Sequence, residues 1–431
     1  MNKSKGLLFL AYYFPPLHTI AIWRNYFLAS EARSMFENLF VFTTDNNELF
    51  KHENVDISFF DITQLSTYDY RSLFNSSKTQ SIGFKEEHKQ NCYSKIGIKL
   101  LNSFPISFIV GEGGLVYILK GYKEAKKLIK SGKISHLYSS YRPMADHWIA
   151  YLLKRKYPEL HWTADFRDLP IDPLYRYYVW KNFQEKVLRK MLKRADLVCT
   201  FAQGIQSGLQ EYTDLKVQII PNGIFQLESN DTKQELQPKF TIQYTGSLFL
   251  EERDPGILLQ AINELIDNGI IDIKDFSIQY AGKDAIQWQH HIDNYKLAAI
   301  SHIINETSTA EARILQQKAH LNLLLTSSQP GFTGIFTGKF FELIGSSRPM
   351  LVIINGIKDE EFEHVFNKYN LGLLSYNRSG RLEEIKSFIS DRYTYWKRTG
   401  KSEWEMDKGI VEDFSWKKSV EVWRSLLTKL K

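Results

Sequence analysis

Two rhythms of hydrophobic and polar positions alternate along this chain. Short apolar runs bounded by Gly, Pro, Asn or Asp are separated by stretches with apolar residues at helical intervals. The opening shows the unit: an apolar run over residues 6–13, the Pro15-Pro16 loop, a helical pattern over 21–35, then a second run over 39–43. Strand, helix and strand in that order favour a parallel sheet. Further strands are expected at 136–140, 161–168, 195–201 and 217–221, with helices at 147–156 and 181–194. Residues 65–99 are polar and irregular.

The composition then shifts to Gln, Glu, Asn, Asp, Thr and Pro up to Lys239, which reads as a linker. The alternation restarts beyond it, with strands expected at 240–244, 276–281, 302–304, 320–325, 349–354 and 371–375. Asp254 as N-cap with Pro255 at the first helical position predicts a helix to about residue 266. Ser308-Thr-Ala-Glu311 reads as a capping box for the next one. Two successive runs of this kind predict an α/β protein of two doubly wound, Rossmann-like domains. The cleft facing both sets of strand carboxyl ends is the expected ligand site.

The totals narrow the function. A chain of 431 residues suits two domains, and a net charge of +6 is mild for that length, which argues against a dedicated nucleic-acid binder. Cys92 and Cys199 have no metal-ligand spacing and imply no disulfide framework, so a reducing cytoplasm is expected. Lys3 and Lys5 before the apolar residues 7–14 resemble a secretory leader. Pro15-Pro16 stands where a small-residue cleavage site belongs, so a first buried strand is the expectation. The best candidate for a membrane span, residues 104–119, is broken by Gly111-Glu-Gly-Gly114 and falls short of the roughly 20 apolar residues needed. Lys120, Lys123, Lys126, Lys127, Lys130 and Lys133 surround a helical spine of Leu119, Tyr122, Leu128 and Ile129. They make either a solvated helix face or a surface that rests on anionic lipid headgroups. The basic helix at 181–194 carries the same two readings.

Candidate chemistry gathers in two places. Between the strands at 320–325 and 349–354 lie a glycine-bearing loop and a short helix over 338–344. A helix opening from the carboxyl end of a parallel strand presents free N–H groups and a positive dipole end, which suits a phosphate. Lys339 adds a cation, whereas Glu342 would repel phosphate and fits a sugar or ribose hydroxyl; the alternative is an ordinary solvated face. Asp165, Arg167 and Asp168 place two carboxylates and a guanidinium at another strand's carboxyl end, as a site or as a self-satisfied Arg–Asp pair. Residues 15–24 contain no glycine, so the first loop is not a dinucleotide fingerprint.

Six short motifs, in order, resemble the GT-B glycosyltransferases, in particular the retaining family 4 enzymes that use a sugar nucleotide. They are Ala11-Tyr-Tyr-Phe-Pro-Pro16 with Arg24, Asp165-Phe-Arg-Asp168, Ala195-Asp-Leu-Val198 and Ile219-Ile-Pro-Asn-Gly223 in the first half. Tyr244-Thr-Gly-Ser247 with Arg253-Asp-Pro255, and Gly338-Lys-Phe-Phe-Glu-Leu343 with Arg348-Pro349, follow in the second. The resemblance implies an N-terminal acceptor-side domain over 1–225, a nucleotide-sugar donor domain over 226–410, and a terminal helix over 411–431 that crosses back to the first.

It further implies that Gly246, Ser247 and Arg253 meet the donor diphosphate, with Thr337, Gly338 and Lys339 at the adjoining helix start. Glu342 would hold the nucleotide ribose, and Arg167 and Asp168 would stand near the reacting carbon as the catalytic groups. No cofactor and no metal are expected, the nucleotide sugar being a co-substrate. The acceptor would be a glycan or lipid-linked acceptor of surface polysaccharide synthesis. The location would be cytoplasmic, peripheral on the inner face of the cell membrane. Three departures stand out: Gly334 replaces the earlier of two spaced glutamates, Leu17-His-Thr-Ile-Ala21 replaces a glycine pair, and Arg167 stands where a histidine is common. Two other functions fit the same architecture, a sugar-nucleotide epimerase and a catalytically silent sugar-nucleotide binding protein.

Overall fold

The computed structural model describes residues 4–17, 19, 21–45, 55–68, 103–171, 179–224, 234–248, 250–305, 307–329 and 333–429. Most of the irregular stretch at 65–99, Cys92, residues 225–233 of the expected linker, and His18 and Ile20 of the first loop lie outside them. The chain forms two compact units, one of residues 1–222 with 416–431 and one of residues 223–415.

The first unit is built on seven strands: β1 (Ser4–Leu10), β2 (Phe36–Thr44), β3 (Asp61–Leu65), β4 (His136–Tyr141), β5 (His161–Phe166), β6 (Leu197–Thr200) and β7 (Gln218–Ile219). They run parallel in the order β3-β2-β1-β4-β5-β6-β7. The central β1 has Leu7, Leu8, Phe9 and Leu10 fully buried, as a strand covered on both faces requires. Among the described residues up to 222, the helices that accompany the strands are α1 (Ile22–Ala32), α2 (Ile106–Val110), α3 (Gly114–Lys130), α4 (Met144–Lys156), α5 (Lys181–Leu192) and α6 (Gln203–Gln210).

The basic helix α3 turns differently from the sequence expectation. Leu119 is 56% exposed, and the buried stripe is Gly114, Tyr117, Ile118, Gly121 and Ala125. Glycine and alanine in that stripe let α3 lie close on α4, with Gly121 against Ile149, so the lysines leave on a face that also displays Leu119. An apolar count alone favours the larger side chains and misses a seam made of small ones.

The second unit holds β8 (Phe240–Thr245), β9 (Phe276–Ala281), β10 (Ser301–Ile304), β11 (Leu321–Ser328), β12 (Met350–Gly356) and β13 (Gly372–Tyr376). They are parallel in the order β10-β9-β8-β11-β12-β13. The helices are α7 (Gly256–Asp267), α8 (Ala285–Asn294), α9 (Thr309–Lys318), α10 (Gly338–Gly345), α11 (Glu360–Lys368), α12 (Leu382–Thr399) and α13 (Gly409–Asp413). Helix α7 begins one residue later than expected, with Pro255 at the cap, although the Asp254 carboxylate still accepts the Gly256 N–H at 2.8 Å. The capping box of α9 forms: Ser308 Oγ accepts the Glu311 N–H and Glu311 Oε2 accepts the Ser308 N–H, at 3.2 and 2.9 Å. Strand order reverses between β8 and β11, and a doubly wound sheet keeps its ligand crevice at the carboxyl ends of such a pair.

The last helix, α14 (Trp416–Thr428), belongs to the first unit and packs on α1. Trp416 stacks on Phe27 at 5.2 Å, and Trp423 Nε1 donates to Thr163 Oγ1 at 3.1 Å. Both indoles are buried, so the end of the chain completes the core of the first unit.

Candidate functional site

At the carboxyl end of β8 the chain leaves through Gly246, whose φ of 141° lies where only glycine is unstrained. The loop is held from below. Tyr280 donates to the Gly246 carbonyl at 3.0 Å, Tyr244 to the Ser247 carbonyl at 2.8 Å, and Asp284 accepts the Leu248 N–H at 2.8 Å. Burial pushes the Tyr244 hydroxyl up to about 12, which keeps it a donor. Arg253, in a short 3-10 turn over Leu250–Arg253, folds back so that its guanidinium donates to the same Ser247 carbonyl at 3.0 Å. With both carbonyls engaged, the Ser247 amide and hydroxyl make no hydrogen bond among the described residues. A cation and unused donors at a strand end are what a phosphate needs.

The second cluster follows β11. Helix α10 opens at Gly338 with no side chain capping it, so its first turn keeps N–H groups without intrahelical partners. Lys339 and Glu342 meet one turn apart, Nζ to Oε2 at 2.8 Å. The other carboxylate oxygen, Oε1, accepts the Gln316 amide at 2.8 Å, and the same amide reaches Thr245 Oγ1 at 2.7 Å. Gln316 therefore ties α10 to the end of β8 and joins the two clusters. Asn322 fixes Gln316 in turn by donating to its backbone carbonyl at 3.2 Å. Glu342 is almost wholly buried yet retains lone pairs for a hydroxyl, because each carboxylate oxygen accepts twice.

Between β11 and α10 stands Gly334, with φ 67° and its N–H held by both oxygens of Asp359 at 3.0 and 2.9 Å. The space a side chain at 334 would fill is taken by the Glu361 carboxylate. Glu361 Oε2 is buried without a hydrogen-bond partner. Burial first, and then the charge of Asp359, push Glu361 up to about 7.

In the first unit, Arg24 of α1 and Asp165 of β5 form a buried two-point ion pair, Nη2 to Oδ1 at 2.7 Å and Nε to Oδ2 at 3.0 Å. Arg24 also donates to Asn222 Oδ1 at 2.8 Å. Burial opposes both charges, but the pairing outweighs it: Arg24 is raised and Asp165 is held below the usual carboxylate range. Asp165 thus pairs with Arg24 and not with its neighbour Arg167. Arg167 instead donates to three backbone carbonyls, of Ala21 at 2.5 Å, Arg142 at 2.6 Å and Tyr141 at 3.2 Å. It ties together the segments that follow β1, β4 and β5. Asp168 is exposed to solvent. Asp146, buried at the start of α4, accepts the Tyr12 N–H and the Tyr117 hydroxyl, each at 2.8 Å, and burial pushes it up to about 7 despite those bonds.

Of the residues singled out in the sequence, Gly246, Ser247 and Arg253 share one loop, and Thr337, Gly338, Lys339 and Glu342 share one helix start. Arg167 and Asp168 stand in the other unit. Gln316 and Glu361 carried no sequence signal, since an amide in mid-helix and a glutamate in an acidic first turn are ordinary features of exposed helices. Among the described residues no group of three His, Cys, Asp or Glu side chains is placed to hold a metal ion, and no helix is long and apolar enough to cross a membrane.

No protein-family model matches the sequence, and neither does any curated protein. Solved structures do match in shape. A sucrose-phosphate synthase from Thermosynechococcus elongatus superposes with a TM-score of 0.58 at 12% identity, over 99% of this chain and 98% of that one. The lipopolysaccharide outer core galactosyltransferase WaaB gives 0.53 at 10% identity, over 98% and 99%. A putative UDP-N-acetylglucosamine 2-epimerase from Listeria monocytogenes gives 0.50 at 11% identity, over 98% and 96%. The fold of this chain is the GT-B one, two α/β units each built on a parallel sheet.

Proposed function

We propose that the protein is a glycosyltransferase that moves a hexose-type sugar from a nucleotide sugar to a glycan or lipid-linked acceptor of surface polysaccharide synthesis, with retention at the anomeric carbon. One observation carries the reading: Gln316 joins Thr245, where the Gly246–Arg253 loop leaves β8, to Glu342 beside Lys339, which supports one site with two cations, amides and a hydroxyl acceptor. A departing nucleoside diphosphate develops negative charge, and Arg253, Lys339 and the amides of Ser247 and α10 would stabilise it without a metal. Glu342 would accept the ribose hydroxyls.

Retention without a placed protein nucleophile leaves the departing phosphate to take the acceptor proton. On the acceptor side, Asp168 would accept a hydrogen bond from another hydroxyl of the acceptor, while Arg167 fixes the segments around it. The protein would work at the inner face of the cell membrane, resting on the basic faces of α3 and α5.

The second reading, a sugar-nucleotide epimerase, draws on the similarity to the Listeria structure. Incubation with a panel of nucleotide sugars separates these two from the third reading, a silent binding protein, and from each other. Transfer or slow donor hydrolysis is the expected result. Appearance of an epimer would replace the reading, and binding without turnover would mark a silent binding protein.

A further inference from the structure

At the start of α11 three acids are engaged and a fourth is not. Asp359 accepts the Gly334 N–H on both oxygens, at 3.0 and 2.9 Å, and the Phe362 N–H at 3.0 Å. Glu363 accepts the Tyr376 hydroxyl at 2.8 Å, and Glu360 meets Lys358 at 3.4 Å. Glu361 makes no hydrogen bond and no ion pair among the described residues. Its Oε2 is buried against Gly334, where a Cβ would overlap it, although the residue as a whole is only partly buried. The positive end of α11 accounts for acids in this turn, and the exposed Glu360 already answers it. It does not account for a carboxylate oxygen turned inward without a donor, an arrangement that lowers stability.

The place of Glu361 is fixed relative to α10. Its neighbour Phe362 packs on Phe336 and Phe340 at ring distances of 5.0 and 5.1 Å, which docks the first turn of α11 on the loop and first turn of α10. Glu342 lies one turn inside α10 and is tied through Gln316 to Thr245 at the end of β8. The uncapped start of α10 comes next, and Gly334 with Glu361 beyond it, where β12 follows β11 in the sheet. A nucleotide sugar runs in the same sense, from ribose through diphosphate to sugar. With its ribose on Glu342 and its diphosphate at the start of α10, its sugar would lie over the loop before Gly338, beside Glu361.

A lone carboxyl also selects the group it can meet. It repels phosphate, and a metal ion would need further ligands. Asp359 is committed to N–H groups, and no set of three metal-ligating side chains exists among the described residues. A sugar hydroxyl can both accept and donate, so it suits the carboxyl in either protonation state. That matters here, because burial and then the charge of Asp359 push Glu361 up to about 7. The last torsion of a glutamate is soft and roughly two-fold, so the carboxyl can turn an oxygen outward without moving Gly334.

We propose that Glu361 binds a ring hydroxyl of the donor's sugar, a role that rests on the transferase reading above and goes beyond it by naming the residue that meets the sugar. Residue 334 is a glycine so that this carboxyl, arriving from α11, can take the space over the loop. The oxygen without a partner is the acceptor that the sugar hydroxyl satisfies.

The test is calorimetric titration of the full-length protein with UDP-glucose, UDP-galactose, UDP-N-acetylglucosamine, GDP-mannose and dTDP-glucose, each beside its own nucleoside diphosphate. Glu361→Ala removes the carboxyl, and Glu361→Leu replaces it with an apolar group of similar size. Each should weaken the best-bound nucleotide sugar about tenfold or more, the loss expected of a hydrogen bond to a charged group. The affinity for the matching nucleoside diphosphate should stay as in the wild type. Neither variant should lower the melting temperature at pH 8, because the carboxyl it removes has no partner. If one variant fails to fold, the other decides. Unchanged affinity for the nucleotide sugar, or an equal loss for the nucleoside diphosphate, would overturn the role of Glu361 and leave the donor site standing. Failure of the wild type to bind any of these nucleotides would sink the transferase reading, and the role of Glu361 with it.

Discussion

The backbone of Gly334 and the carboxylate of Glu361 compete for one space: a Cβ on residue 334 would overlap Glu361 Oε2. Gly334→Ala therefore meets two penalties, a left-handed φ and a displaced carboxylate. The φ alone should lower stability by about 1–2 kcal/mol. Adding Glu361→Ala removes the overlap and should return only the remainder. Urea midpoints of the single and double variants measure both parts, and equal losses would show that the carboxylate yields freely.

The same carboxylate predicts a pH dependence. Burial and Asp359 raise the Glu361 pKa to about 7, above its unfolded value, so the group favours the folded state while protonated. That contribution is complete below the unfolded pKa, near 4.3, and is lost as the pH climbs through about 7. Between pH 5 and 8 the wild type should lose stability relative to Glu361→Gln, whose amide does not titrate. Parallel stability curves for the two proteins over that window would refute the assignment.

Much of the fold was legible because buried parallel strands are nearly continuous apolar runs, as Leu7 to Leu10 and Leu321 to Leu325 show. Pairings across long sequence distances were not. Arg24 and Asp165 lie 141 residues apart, and Asp165 stands two residues from Arg167, an equally good partner by sequence distance alone. Lys339 and Glu342 were legible as neighbours because a spacing of three places both on one helix face. Gln316 was silent because its importance comes from where β8 and α10 meet, which no local pattern encodes. The seam of α3 was misjudged for a related reason: small residues mark close approach only once the partner helix is known.

The Arg24–Asp165 pair predicts a strong non-additivity. Both groups are buried, so Arg24→Met or Asp165→Asn alone strands the other charge and should cost about 3–5 kcal/mol. The double variant strands neither and should lose less than the sum of the two. A double-mutant cycle on unfolding free energy checks this, and simple additivity would mean that the pair contributes nothing beyond its separate packing.

The basic face of α3 predicts a salt-sensitive surface. Each Lys near an anionic bilayer is worth about 1 kcal/mol, within a Debye length of about 8 Å at physiological salt. Replacing Lys123, Lys126, Lys127 and Lys130 with Glu should abolish sedimentation with anionic vesicles at low salt. Vesicle binding that survives the four reversals would reduce the lysines to a solvated helix face.

The sharpest prediction concerns Arg253, Lys339 and Glu342, because each has a different part in the proposed site. Arg253 already holds the loop through Ser247, and on a diphosphate its charge gains most as the leaving group departs. Losing about 2.7–4 kcal/mol of such stabilisation slows turnover roughly a hundred- to a thousand-fold, which is expected for Arg253→Ala. Lys339→Ala removes the second cation and frees Glu342 Oε2, so it should slow turnover less while loosening the donor. Glu342→Gln keeps the shape and loses the charge, so donor affinity should fall while the single-turnover rate at saturation holds. Gln316→Leu adds a control: it cuts the link between the clusters without touching a proposed ligand group, and should weaken the donor through misplacement of Glu342. Donor titration beside single-turnover transfer resolves all four. Wild-type affinities and rates in Arg253→Ala, Lys339→Ala and Glu342→Gln together would remove the donor from this end of the sheet.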